Sequence, residues 1–100
     1  MSYAVKFLPT ALSDVQDIKI YLSQYYESTV DKFISNLKDK VSQIKENPFM
    51  HEIYQDDTFF RRAVVEDYLV FYNVDETEKI VRIYRILHGS KDLRHYLNKE

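Results

Sequence analysis

The clearest pattern of hydrophobic and polar positions lies between Tyr68 and Gly89, where two runs rich in Val, Ile, Tyr and Phe flank a polar segment. Tyr68 to Val74 and Lys79 to His88 have the composition of β-strands. Asp75 to Glu78 lie between them and are polar, as in the loop of a hairpin. The pattern therefore predicts two antiparallel strands, which the only glycine of the chain follows.

Two arginines interrupt the last of these runs. Arg82 and Arg85 have opposite parity, and the side chains of a regular strand alternate between the two faces of a sheet. In a regular strand one arginine would therefore lie on a covered face, unless a bulge intervenes. The sequence thus predicts cations on or beside a sheet surface that would otherwise be sealed, which is the first indication of a functional face.

The first half of the chain predicts a strand and two helices. Tyr3 to Leu8 is short and apolar and is stopped by Pro9, as expected of a strand near a sheet edge. Apolar residues then recur at three- and four-residue spacing within about Ala11 to Tyr26 and again from Val30 to Ile44. Each stripe is typical of an amphipathic helix, and both stripes need a sheet to cover them.

The predicted helix ends depend on capping residues. Thr10 stands where the first helix needs an N-cap, and Ser28 or Thr29 has that place in the second. The second helix ends at Asn47, because a residue before proline avoids the helical region. Little more than Glu27 separates the helices, so we expect them to fold back as an antiparallel hairpin.

The remaining segments complete an α+β fold. Phe49 to Thr58 has mixed polar composition and predicts a loop, and Phe59 to Val65 returns to strand composition. We therefore expect a single domain over residues 1–100: an N-terminal strand, a helical hairpin packed on one face of a mostly antiparallel sheet, and a three-stranded antiparallel meander. A short C-terminal helix from about Leu93 to Asn98 follows.

Composition excludes several classes of protein. A chain of 100 residues with 45% hydrophobic content can build one core. It has no cysteine and only scattered histidines, so we expect no disulfide, no metal site and no cofactor. No apolar run approaches the roughly 18 residues of a membrane span, and no signal peptide pattern is present, which favours a cytoplasmic protein.

The net charge of -2 conceals an asymmetry along the chain. Residues 1–58 hold six Lys and nine Asp or Glu, a net charge of -3, whereas residues 79–95 have a net charge of +4. Such a basic patch attracts an acidic partner even when the whole chain is slightly acidic. The alternative is an ordinary solvated strand end. The cations assigned to partner binding are Arg82, Arg85, Lys91 and Arg94.

A resemblance to a known family rests on five segments and their spacing. They are YAVKFLPTA, DVQDIKIYL, the Asn47-Pro48 helix end, RRAVVEDYLVFYNVDE and IYRILHGSKDL. In this order they resemble the RelE/ParE superfamily of bacterial toxins from type II toxin–antitoxin modules. The resemblance implies a small growth inhibitor that forms a hetero-oligomer with a partner antitoxin, whose flexible segment wraps the toxin.

The two branches of the superfamily differ in target and in the third strand. Members similar to RelE are ribonucleases that cut messenger RNA in the ribosome, and they typically carry an arginine after the tyrosine that opens this strand. Here Leu69 follows Tyr68. The ending ILHGSKDL instead resembles the ParE branch, which is associated with blocking DNA gyrase. The resemblance therefore favours a gyrase inhibitor that acts by binding, with a ribosome-dependent mRNA endoribonuclease as the alternative.

Candidate catalytic residues apply only to the ribonuclease alternative. Attack by a 2′-hydroxyl needs a proton acceptor, cations around the phosphate and a proton donor. His88 suits proton transfer near neutral pH, Tyr96 can donate a proton or stack on a base, and Arg62 and Lys91 can supply charge. The resemblance adds that Arg62 and Tyr96 lie near positions that are catalytic in the family.

Several of these residues also have an ordinary structural interpretation. Arg62 can pair with Glu66 or Asp67 across the turn that follows its strand. His88 can simply close a strand before a glycine, and Asp92 can cap the C-terminal helix or pair with an arginine.

Overall fold

The computed structural model describes residues 3–97, except for the side chain of Arg94. Within these residues the elements follow the order expected from the sequence, so the α+β class, the helical pair and the meander are confirmed. The predicted C-terminal helix is a single turn, and Asn98 lies outside the described residues. The elements are β1 (Ala4–Phe7), α1 (Pro9–Leu22), α2 (Glu27–Glu46), β2 (Arg61–Val65), β3 (Tyr68–Asp75), β4 (Ile80–His88) and α3 (Leu93–Tyr96).

The four strands form one sheet in the order β1-β4-β3-β2. β2, β3 and β4 are antiparallel neighbours, whereas β1 is parallel to β4 and lies at an edge, as its sequence predicts. The parallel pairing runs from Ala4 opposite Ile80 to Phe7 opposite Ile83. Because β1 ends there, the second half of β4 has no strand beside it on that side within residues 3–97.

A β-bulge at Tyr84 interrupts the pairing of β3 with β4. Arg85 lies opposite Phe71, and Arg82 lies opposite Asn73, two residues further along β3. Side chains two residues apart on a regular strand share a face, so the two arginines share one as well. Without the extra residue they would lie on opposite faces. The parity of the two arginines left two alternatives, an arginine on a covered face or a bulge in the strand. The structure has the bulge.

The first helix differs from its prediction at both ends. It begins at Pro9, two residues earlier than expected, because the first N–H groups of a helix need no intrahelical partner and proline lacks one. Leu8 is the N-cap, and it makes no side-chain hydrogen bond. The prediction that Thr10 caps α1 is wrong, since its hydroxyl donates instead to the carbonyl oxygen of Tyr84 at 3.0 Å. The helix ends at Leu22.

The second helix was predicted correctly at its C-terminal end only. Asn47 is the C-cap, as expected of a residue before proline. The helix begins at Glu27, and its N-cap is Tyr26, which makes no side-chain hydrogen bond. Ser28 and Thr29 therefore lie inside α2 and are not its caps.

Both helices cover one face of the sheet. Burial of a large apolar side chain contributes about 1.5–3 kcal/mol, most of which conformational entropy offsets. Leu12 lies within the apolar stripe predicted over about Ala11 to Tyr26, but it is 54% exposed. The main buried residues of this helix-side core are Ala11, Ile18, Phe33, Leu37, Ile44, Ala63, Val65, Val70, Tyr72, Val81, Ile83 and Ile86.

A second cluster covers the other face of the sheet. The loop before β2 contributes Tyr54 and Phe60, and the segment after Gly89 adds three partly buried residues. The loop predicted over 49–58 is confirmed, and β2 begins at Arg61 instead of at Phe59. The members of this cluster are Tyr54, Phe60, Phe71 and Leu87, with Leu93, Tyr96 and Leu97 packed against them.

Candidate functional site

A cavity of about 480 Å³ lies between α1, the end of β4 and the segment that follows Gly89. We call it the α1–β4 cavity. Its lining includes His88, Lys91 and Tyr96, three of the four residues predicted for catalysis, and also Arg85. The structure therefore brings together residues from a strand end and from the chain beyond it.

Two other predicted cations lie elsewhere. Neither Arg62 nor Arg82 lines the α1–β4 cavity. Arg94 belongs to α3, and its side chain lies outside the described part of the structure. The predicted basic patch is therefore divided among different environments.

Arg85 is tied to a carboxylate of α1. Its Nε atom donates to Oδ2 of Asp14 and its Nη2 atom to Oδ1, each at 2.8 Å. The side chains of Arg85 and Asp14 are only 20% and 10% exposed. The hydrogen bonds to Asp14 raise the pKa of Arg85 above its ordinary value, so the guanidinium group stays charged in spite of its burial.

Asp14 also accepts a hydrogen bond from a backbone N–H group of β4 that, in the described part of the chain, has no neighbouring strand on that side. Its Oδ2 atom accepts a 2.9 Å hydrogen bond from the backbone N–H of Ile86. This N–H group belongs to the part of β4 that extends beyond β1, so a side chain of α1 supplies the acceptor that a neighbouring strand would otherwise provide.

Sequence reasoning missed Asp14, because an acidic residue of an amphipathic helix ordinarily faces solvent. A signal was nevertheless present. Asp14 lies three residues after Ala11 and four before Ile18, and both of these residues belong to the buried stripe of α1. A carboxylate on an apolar helical stripe needs a partner, and Arg85 is the partner here.

The ring of Tyr96 contacts two cations. The guanidinium carbon of Arg85 is 5.6 Å from the centre of the Tyr96 ring, and Nζ of Lys91 is 5.0 Å from it. Nη1 of Arg85 also donates to the Tyr96 carbonyl oxygen at 2.8 Å. Arg85 therefore joins α1, β4 and the C-terminal segment, and fixes Tyr96 at the wall of the cavity.

His88 closes β4 as predicted, and it lies at the rim of the cavity. Its Nδ1 atom is 2.8 Å from the hydroxyl of Ser90 and accepts a hydrogen bond from the Ser90 N–H. The ring packs edge-on against Tyr68, whose pKa is raised chiefly by burial. These contacts hold the imidazole ring in one orientation beside the cavity.

Arg62 lies on β2, two strands away from Arg85. It is opposite Phe71, which is itself opposite Arg85, so the two Cα atoms are about 10 Å apart. The alternative pairing of Arg62 with Glu66 or Asp67 is not formed. The nearest carboxylate is that of Glu52 in the preceding loop, at 4.0 Å.

Arg82 forms an ion pair within the hairpin. Its Nη1 atom donates to Oδ2 of Asp75 at 3.0 Å. The pKa of Asp75 is lowered by a hydrogen bond from the backbone of Glu78 and further by Arg82. Arg82 therefore neutralises a carboxylate of its own hairpin, at a distance from the α1–β4 cavity.

Acidic and basic groups are balanced in the cavity. Asp14 and Asp17 line it together with Arg85 and Lys91. Leu69, at the position where the ribonuclease branch carries an arginine, packs against the second cluster of the sheet. The charge of the cavity is therefore not concentrated for a phosphate.

Residues 3–97 contain no group of three or more histidine, aspartate or glutamate side chains that could hold a metal ion. In the same part of the chain, no helix combines the length and the apolar character needed to cross a bilayer.

Comparison with known families identifies the kind of protein that carries this site. The family described as ParE toxin of type II toxin-antitoxin system, parDE, matches residues 5–93. The chain belongs to this family. It is therefore a toxin of the RelE/ParE superfamily, as its sequence resemblance predicts. A comparison with curated proteins found no match.

Solved structures with a similar fold come from both branches of the superfamily. The chromosomal ParDE toxin–antitoxin system of P. aeruginosa has a TM-score of 0.73 at 14% identity, over 87% of this chain and 96% of that chain. The RelBE2 complex of Mycobacterium tuberculosis has 0.65 at 17%, over 88% and 99%. The intact RelBE complex of E. coli has 0.64 at 14%, over 90% and 100%. At these identities the likeness shows the fold alone.

Proposed function

We propose that this ParE-family toxin arrests bacterial growth in the cytoplasm by binding DNA gyrase, and that a cognate antitoxin neutralises it. The observation that carries the proposal is the separation of the groups needed for RNA cleavage. Arg62 lies two strands away from Arg85, outside the cavity that holds His88, Lys91 and Tyr96. A phosphorane needs its cations together, and removal of one such group costs a few kcal/mol of transition-state stabilisation.

The second candidate is a ribosome-dependent mRNA endoribonuclease. One observation favours it: His88, Lys91 and Tyr96 line the same cavity, and they offer an imidazole, an ammonium and a phenol. Such groups can transfer protons and bind phosphate.

The antitoxin partner is supported by the similar solved structures, which are toxin–antitoxin complexes. We propose that an acidic antitoxin segment, disordered on its own, docks over the basic end of the chain and forms a hetero-oligomer. Lys91 and Arg94 are its contacts in this proposal. Arg82 and Arg85, also predicted as contacts, each hold a carboxylate of the toxin itself, so they contribute less.

A growth assay tests the toxin activity. Induced expression should arrest growth, and co-expression of the small open reading frame beside the toxin gene should restore it. Normal growth in the presence of folded toxin would contradict the proposal.

Two assays with purified protein distinguish the candidate targets. The toxin should block gyrase supercoiling of a plasmid and leave transcripts intact in a translating extract. Arg62→Ala and Tyr96→Phe are the decisive variants. The side chain of Arg62 makes a 4.0 Å ion pair with Glu52 and a 6.0 Å contact with the Tyr54 ring, and Arg85 holds Tyr96 by its backbone oxygen, so both variants should fold. Both should still inhibit gyrase. If the wild type cuts transcripts and either variant does not, the ribonuclease assignment is correct instead.

A further inference from the structure

Asp14 has a position that the proposed function does not explain. We propose that Asp14 determines the specificity of the α1–β4 cavity: it occupies the guanidinium group of Arg85 and thereby prevents that group from binding phosphate. The inference rests on the proposed function, because it accounts for a cavity that suits a protein surface better than a nucleic acid. Asp14 is a specificity residue in this view, and it acts through Arg85.

Each of the three guanidinium nitrogens of Arg85 already donates a hydrogen bond within the protein. The guanidinium group offers a fork of parallel donors, which is the feature that recognises phosphate in other proteins. Here the Nε and Nη2 side of the fork is filled by both oxygens of Asp14, each at 2.8 Å. The third nitrogen donates to the carbonyl oxygen of Tyr96. A phosphate would have to displace a carboxylate that already has the matching geometry.

Rotation of the Asp14 side chain away from Arg85 is unfavourable. Its carboxylate is held by the Ile86 N–H as well as by Arg85, and the side chain is only 10% exposed. These three N–H donors come from two adjacent residues of β4, and rotation of Asp14 would leave all three without their acceptor. Burial makes that loss more costly than it would be at the surface.

The balanced charge of the cavity also disfavours binding of phosphate. Asp14 and Asp17 balance Arg85 and Lys91, so a dianion gains little on entry. Asp14→Asn leaves one excess positive charge and frees the charge-assisted donors of Arg85. Asp17→Asn makes the same change in net charge in the same cavity, but Asp17 is not the carboxylate that holds Arg85. The two variants therefore separate the effect of net charge from that of the occupied guanidinium group.

The experiment is a titration of wild type and variants with inorganic phosphate and, separately, with a short single-stranded RNA oligonucleotide. Binding is followed by the NMR shifts of the backbone amide groups that line the cavity, which every variant retains, and in the proteins that keep Arg85 also by the resonance of its Nε–H group. Asp14→Asn should bind both probes about tenfold more tightly than the wild type, the equivalent of one charge-assisted hydrogen bond. Asp17→Asn should gain less, and Asp14→Asn combined with Arg85→Gln should lose the gain. A residue that only stabilised the fold would not produce a gain in binding when replaced.

Several results would overturn the proposal. The proposal is wrong if wild type and Asp14→Asn bind the probes with equal affinity, or if Asp17→Asn gains as much affinity as Asp14→Asn. It is also wrong if Asp14→Asn gains affinity for the oligonucleotide but not for phosphate. Asp14→Ser keeps an oxygen that can accept the Ile86 N–H, and it replaces Asp14→Asn if that variant does not fold. The wild type provides a test of its own, since saturating phosphate should leave the Arg85 Nε–H resonance unshifted. The titration contains no gyrase, so its failure is distinct from failure of the supercoiling assay.

Discussion

The hydroxyl group of Tyr72 donates a 2.7 Å hydrogen bond to the carbonyl oxygen of Pro48. Both residues are fully buried, and the bond fastens the turn after α2 to β3, an inner strand of the sheet. Burial raises the pKa of Tyr72 to about 12, so the hydroxyl remains a donor at any physiological pH. The turn after α2 is thus held at the point where the loop towards β2 begins.

Tyr72→Phe should lower the free energy of unfolding by about 1–3 kcal/mol, because the Pro48 carbonyl is left without this buried donor. Urea denaturation measures the change. Tyr26→Phe is the matched control, since it removes the same hydroxyl from a side chain that is 75% exposed and should change stability little. Equal losses in both variants would show that the buried bond is not the cause.

The two arginine ion pairs of β4 should differ in their contribution to stability. Arg85→Ala leaves Asp14 buried without its counter-charge and should lower the free energy of unfolding by about 3 kcal/mol. Arg82→Ala breaks a pair whose side chains are 30% and 27% exposed, so its effect should be clearly smaller. Urea midpoints of the two variants test the order. A larger loss for Arg82→Ala would contradict the assignment of Arg85 as the structural cation.

Features of the fold that depend on neighbouring residues could be predicted from the sequence. The hairpin of β3 and β4 follows from alternating β-branched and aromatic residues on either side of a polar loop. The parity of Arg82 and Arg85 even indicated a bulge as one of two alternatives. The end of α2 followed from a proline. In each case the physical cause lies within a few residues of its effect.

Features that depend on distant partners could not be predicted. Asp14 and Arg85 are 71 residues apart, and they meet only because β1 is too short to cover the second half of β4. Thr10 resembles an N-cap by sequence, but its hydroxyl donates a hydrogen bond to a backbone carbonyl oxygen of β4 instead. The division of the basic patch has this origin only in part, since Arg85 pairs with the distant Asp14 whereas Arg82 pairs with Asp75 of its own hairpin.

The stability of the fold should depend on His51 in mildly acidic solution. Its Nε2 atom is buried and has no hydrogen-bond partner within residues 3–97. Burial lowers the pKa of His51 below its ordinary value of 6.5, and the charge of Lys40 lowers it further. The unfolded chain therefore binds the proton first, so stability should fall as the pH decreases below 6.5 and level off below the folded-state pKa.

Unfolding by urea well above and well below pH 6.5 measures this loss. His51→Phe keeps a ring against Tyr72 but cannot be protonated, so the loss in this range should disappear. Asp75 contributes in a lower range, because its pKa is lowered from 3.8 and its stabilisation is lost only as the pH falls through the folded-state value. An unchanged pH dependence in His51→Phe would assign the effect to another group.

Lys91 is the sharpest probe of antitoxin binding, because it is exposed and its contact is with the ring of Tyr96. Lys91→Glu should weaken binding of the antitoxin and reduce the dependence of affinity on salt, since an exposed charge pair across the interface is screened. Isothermal titration at several salt concentrations measures both quantities. Arg85→Glu is a poorer choice, because it would bring a second carboxylate next to Asp14 and disturb the fold.

The control for Lys91→Glu is Lys32→Glu, an equal change of charge at an exposed position of α2. If the acidic antitoxin segment lies over the C-terminal end of the toxin, only the variant at Lys91 should lose affinity beyond the general effect of net charge. Equal losses would indicate long-range attraction without a local contact. No loss in either variant would mean that the basic end of the chain does not bind the antitoxin.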